Sequence, residues 1–173
     1  LSLDQIPFLQ IRLLLEHETG HRKAGKVFLE QLLADERHAG PWPLAGAFTA
    51  IVLSQIGRLW NDRSSCDAAL RLSRTVLQKR PSIPLAQAGA HVSRALAAIG
   101  LSRRDECEEA LEFLERLEGI NITPFQMTDR LLGSLAHCAG QTRRALAHFE
   151  RSVAFCRKND YRPELAWTLY EYA

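Results

Sequence analysis

Five prolines recur along this chain at nearly even steps. They are Pro7, Pro43, Pro84, Pro124 and Pro163, separated by 36, 41, 40 and 39 residues. Proline has no backbone N–H to give a helix interior, but it fits the first helical turn without loss. Each of the five opens an apolar segment, such as "PLAGAFTAIVLSQIG" after residue 42 and "PLAQAGAHVSRALAAIG" after residue 83. Four of the segments close on a glycine: Gly20, Gly57, Gly100 and Gly140. Glycine accepts the left-handed backbone that ends a helix, so the spacing predicts a helix from each proline to each glycine. Pro41 and Pro81 fall in the turns between units.

A second helical pattern follows each glycine. Ala69, Leu70, Leu72, Val76 and Leu77 recur mostly at three- and four-residue steps. Ala110, Leu111, Leu114 and Leu117 do the same, as do Ala145, Leu146, Phe149, Val153 and Cys156. β-Branched runs are few and hairpin dipeptides are absent. The predicted unit is therefore helix–turn–helix, and the predicted fold is all-α with about nine helices. Four units near 7–42, 43–83, 84–123 and 124–162, with a half unit at 163–173, account for the chain as a single repeat domain. One helix pair cannot bury both apolar faces, whereas stacked pairs can, which leads to an α-solenoid. The half unit carries Leu165, Trp167, Leu169 and Tyr172. That apolar character, together with a first residue other than methionine, leads to the expectation of a fragment from a longer protein.

These residues resemble the tetratricopeptide repeat. The fourth unit matches best, with Leu132-Gly133, Gly140, Ala145 and Phe149. Ala24 and Phe28 match in the first unit, Ala69 in the second, and Ala110 and Leu114 in the third. The second and third units carry longer turns, "RLWNDRSS" and "LSRRDE", and the full units lack the consensus tryptophan and tyrosine. The resemblance implies a right-handed α–α superhelix whose first helices line a concave groove. Under it, the groove row is Met127, Arg130, Ser134 and His137 in the fourth unit. Gln87 and Arg94 match in the third, Gln10 and His17 in the first, and Trp167 and Tyr170 follow one position off the row. Such a mixture of arginine, histidine, glutamine and aromatics suits an extended peptide or a small effector.

The closing segment "HFERSVAFCRKNDYRPELAWTLYEYA" is similar to the helical repeat regions of bacterial multidomain regulators. These are LuxR-type transcriptional activators with an ATPase module and ATPase-fused adenylyl or guanylyl cyclases. That resemblance implies a cytoplasmic sensor or scaffold arm that binds an effector or a partner protein. A freestanding adaptor holding a peptide in its groove is the alternative.

Signatures of chemistry are few. Neither a phosphate-binding glycine loop nor a nucleophile elbow is present. His17 and His21 are four apart, but Gly20 between them interrupts the helix face that a metal pair needs. Cys66, Cys107, Cys138 and Cys156 form no CxxC pair, and each lies in a helical pattern as a buried thiol would. Asp105-Glu106 and Glu108-Glu109 fall where a helix begins, and suit its dipole. Arg103-Arg104 and Arg143-Arg144 follow the glycines of their units, with Arg71 and Arg74 on a neighbouring helix. They read as a solvated edge, favoured by the interleaved acidic residues, or as a dock for an acidic partner or nucleic acid. A net charge of +2 and the absence of any membrane-length apolar run point away from nucleic acid and bilayers. The expectation is a non-enzymatic interaction module with no cofactor, taking a protein or peptide partner or a small effector.

Overall fold

A computed structural model describes residues 5–35, 43–80, 83–116 and 126–173. Among them the chain is all-helical, in nine helices: α1 (Gln5–Glu18), α2 (Arg22–Asp35), α3 (Pro43–Trp60), α4 (Arg63–Gln78), α5 (Pro84–Leu101), α6 (Arg104–Glu115), α7 (Thr128–Cys138), α8 (Thr142–Lys158) and α9 (Arg162–Tyr172). They divide into two compact units, residues 1–101 and 102–173. No described helix is long and apolar enough to cross a membrane. Pro43 and Pro84 are the first residues of α3 and α5, and Pro163 is the second of α9. Pro41, Pro81, Leu117 and Pro124 lie outside the described residues, as do the unit boundaries near 42 and 123.

Two of the glycine stops are where the spacing puts them. Gly20 and Gly140 adopt φ of +76° and +75°. There the N–H of the following residue, His21 or Gln141, donates to a carbonyl five residues back, 2.8 Å away in both cases. The other two are corrected. Gly57 lies inside α3 and Gly100 inside α5, and the left-handed residues at those ends are Asn61 and Ser102, at +54° and +55°. The long turns expected after these glycines shrink to two residues each, 61–62 and 102–103.

Close packing explains those glycines instead. A methyl group on Gly57 would stand 2.7 Å from the Cys66 sulfur, and one on Gly100 would stand 2.8 Å from the same atom. Cys66 of α4 is thus wedged against both α3 and α5. It is fully buried, and burial pushes its thiol up to about 11. Helix α3 is apolar on nearly every side and packs against α1, α4 and α5. In α4 the expected stripe is buried at Ala69, Leu70, Leu72 and Val76. Asp62 caps this helix, its carboxylate accepting from the Ser64 N–H at 3.1 Å.

The unit of residues 102–173 holds α6 to α9. Helices α7 and α8 pair at Gly133, where a methyl group would stand 2.9 Å from the Phe149 ring. Phe149 also stacks on Tyr172 of α9, 5.4 Å between centroids. Leu146, expected within the apolar stripe of α8, is 43% exposed. In the first hairpin Ala24 is exposed, and the close-approach position falls one residue on, at Gly25, against Trp60.

Candidate functional site

The expected groove row is divided between packing and surface. Arg130 is 1% exposed, the largest fully buried side chain among the described residues. Its guanidinium donates to both carboxylate oxygens of Glu164, at 2.7 and 3.1 Å, and to Glu171 at 2.6 Å. Ser134 donates its hydroxyl proton to Glu171, and the Met127 N–H donates to Glu164 at 2.8 Å. Met127, just before α7, and Arg130 and Ser134 on it therefore hold α9 in place. A guanidinium so deeply buried must be paired, and the two glutamates of α9 supply the pairing. His137 is exposed. Trp167 is half-buried with its ring edge-on to Tyr170, 6.0 Å away, and Tyr170 is 75% exposed.

In the other unit Gln87 is exposed and Arg94 half-buried on α5. Gln10 donates to the Thr49 hydroxyl at 2.8 Å, tying α1 to α3. His17 accepts the Trp60 indole N–H at 2.9 Å through Nδ1, and burial lowers its pKa. His21 faces Thr19 and Glu16 instead. No group of three or more metal-ligating side chains is gathered among the described residues.

A concavity among the described residues of the unit 102–173 lies elsewhere, between α6 and α8. It is a cleft of about 680 Å³ lined by Glu112, Glu115, Arg116, Arg144, Ala147, His148 and Arg151. The spacing of its residues follows from helical geometry: Arg144, His148 and Arg151 lie four and three residues apart on one face of α8. Glu112, Glu115 and Arg116, at positions i, i+3 and i+4, share one face at the end of α6.

Hydrogen bonds fix these side chains. His148 is buried, with Nδ1 2.9 Å from Asp129 and Nε2 3.2 Å from Glu115, so both ring nitrogens face carboxylates. Arg151 donates through Nε to Asp129 at 3.1 Å. Arg144 bridges Gln141 and Glu115. The bond from Arg144, against the cost of burial and with help from His148, holds the Glu115 carboxyl below its ordinary value. At Asp129 burial pushes upward, but the hydrogen bonds and charges of His148 and Arg151 prevail, and its pKa is lowered. Arg144 is raised by its bond to Glu115.

Of the two arginine pairs, only Arg144 lines the cleft. Arg103 pairs with Glu106 at 2.9 Å, and Arg104 donates to the Ala139 carbonyl at the end of α7 at 3.1 Å. Arg143 is exposed. The sequence reading missed His148, Arg151, Glu115 and Asp129. The available signal was the four-and-three spacing of charged residues on the polar face of α8. Comparison with family models, curated proteins and solved structures returns no match to this chain.

Proposed function

We propose that this chain is a non-catalytic interaction module that recognises an acidic segment of a partner protein, or a carboxylate-bearing effector, through the α6–α8 cleft. The observation that carries the reading is the set of arginines held ready there. Arg144 and Arg151 are each anchored by a carboxylate, yet their side chains remain 42% and 46% exposed. Both guanidinium groups thus combine a fixed position with exposure to solvent, the combination that suits bidentate recognition of a ligand carboxylate. Anchoring lowers the ordering cost of binding. The lining of arginine, glutamate, histidine and alanine suits charge recognition, and the cleft lies in the size range of ligand sites.

The wider setting we infer is a tetratricopeptide-like right-handed solenoid, serving as the sensor or scaffold arm of a bacterial multidomain regulator. Packing order supports the solenoid. Within residues 1–101, α1, α3 and α5 touch in series, and α2 and α4 pair with the helices before them. Within residues 102–173, α7 and α9 touch, and α8 pairs with both. The regulator setting rests on the similarity of the closing segment.

Fluorescence anisotropy with a labelled oligo-glutamate peptide tests the cleft. Arg116→Glu and Arg151→Gln should each weaken capture about tenfold, the effect of losing about 1.4 kcal/mol. Arg143→Glu, outside the lining, is the control. Capture that falls equally in the control, or that survives both cleft changes with circular dichroism intact, refutes the site.

A further inference from the structure

We propose that Cys107 and Cys138 are a redox pair that closes into a reversible disulfide, stapling α6 to α7. Their sulfur atoms stand 2.7 Å apart. A covalent S–S bond is about 2.05 Å, so less than an ångström of movement separates this arrangement from the bond. The juxtaposition is built by the fold. Cys107 is the fourth residue of α6 and Cys138 the last of α7. Two further contacts clamp the same corner. Arg104 donates to the Ala139 carbonyl at 3.1 Å, and Gln141 donates to Glu108 at 3.1 Å. The positions are thus held together whether or not the sulfurs are bonded.

The two thiols differ in access. Cys107 is fully buried, and burial, reinforced by the neighbouring Cys138 sulfur, raises its pKa. Cys138 is half-buried and is the one that an external reagent meets first. A small-molecule disulfide of the glutathione type is the oxidant. The Cys138 thiolate attacks one of its sulfurs, forming a mixed disulfide and expelling one thiolate. Cys107 then gives up its proton and attacks the Cys138 sulfur, expelling the second thiolate. The two cysteine protons end on the two released thiols. Two cysteine thiols are oxidised to one disulfide, and one small disulfide is reduced to two thiols. The other cysteines are built differently: Cys66 is enclosed by Gly57 and Gly100, and Cys156 is fully buried in α8.

The test is a peptide map of the 173-residue chain equilibrated with oxidised and reduced glutathione, then alkylated under denaturing conditions and cut with trypsin. Cleavage after arginine puts Cys107 in the peptide 105–116 and Cys138 in the peptide 131–143. The expected result is a linked pair of these two peptides, two hydrogen masses lighter than their sum. Alkylatable thiols should fall from the four of the sequence to two, and the linked pair should vanish with dithiothreitol. Cys107→Ser should leave Cys138 carrying glutathione, because the resolving thiol is gone. Four thiols alkylated at every glutathione ratio would overturn the proposal. So would a link that forms only after guanidinium unfolding, or one that joins other cysteines.

Discussion

Replacing Arg130 separates two views of the groove row, one in which it meets a ligand and one in which it holds the fold. Arg130→Met keeps much of the side-chain volume and removes the charge. It strands Glu164 and Glu171, which are 4% and 9% exposed at the side chain. Three charge-assisted hydrogen bonds disappear, at 2.6, 2.7 and 3.1 Å. Bonds to charged groups contribute roughly 1.5–3 kcal/mol each, but the three share one guanidinium and do not add. Removing one partner of a buried ion pair costs about 3–5 kcal/mol, and that is the expected loss here. It is a large share of the roughly 5–15 kcal/mol that holds a domain folded. Urea unfolding followed by far-UV circular dichroism reads it directly. The triple change Arg130→Met, Glu164→Gln and Glu171→Gln should recover most of the loss. No charge is then left stranded, and the amide oxygen introduced at position 164 still accepts from the Met127 N–H. A loss below about 0.5 kcal/mol for Arg130→Met, the scale of an ordinary surface change, would refute the structural assignment. Charge reversal at Arg130 is correspondingly a poor probe of binding, since it would place a third carboxylate among two.

Gly57→Ala should destabilise the chain by up to about 2 kcal/mol, toward the upper end because backbone cannot give way. Overpacking costs about 1–3 kcal/mol against a gain of about 1 kcal/mol in helix propensity, and two of the three atoms met, the Cys66 N and the Asp62 carbonyl, are backbone that cannot step aside. Chemical denaturation of this single variant checks it, and a stability equal to or above wild type contradicts the wedge. Acid should loosen the α6–α8 corner. Asp129 and Glu115 lie below their ordinary values of 3.8 and 4.5. Their contribution is therefore complete above those values and is lost as pH falls through the lowered folded ones. Asp129→Asn should flatten the decline of stability below about pH 3.8, and an unchanged acid limb would contradict the assignment.

Much of the fold was legible because helix starts and apolar stripes are local. Pro43, Pro84 and Pro163 mark their helices within a residue, and the buried faces of α4 and α8 follow the apolar steps apart from the partly buried Leu77 and the exposed Leu146. The helix ends were half legible. Glycine was read as a stop at four places, but a glycine has two uses, left-handed backbone and room for a neighbour. Gly20 and Gly140 serve the first, Gly57 and Gly100 the second. Nothing within a few residues of Gly57 announces Cys66 as its neighbour, so the choice lies in tertiary packing. Asn61, Ser102 and Asp160 show that the left-handed turn recurs without glycine.

The candidate site was less legible, for a related reason. A row of polar residues on a helix face marks contact with something polar, but it does not say whether that is a ligand or the next helix. Arg130 and Ser134 meet Glu171, a residue 41 and 37 positions further along the chain, and their chemistry is spent there. Glu164 and Glu171 are seven apart on α9, the spacing that presents both to one neighbour. That pattern was visible, and matched to Arg130 across one repeat period it would have identified a helix-to-helix clamp. The same reasoning directs attention to α8, where Arg144 and Arg151 are held by carboxylates yet stay open to solvent. A charge fully enclosed by its partners organises the fold, whereas a charge anchored on one side and exposed on the other can still be reached from solvent. Exposure together with anchoring, rather than residue type, is what distinguishes the α6–α8 cleft from the α7 row.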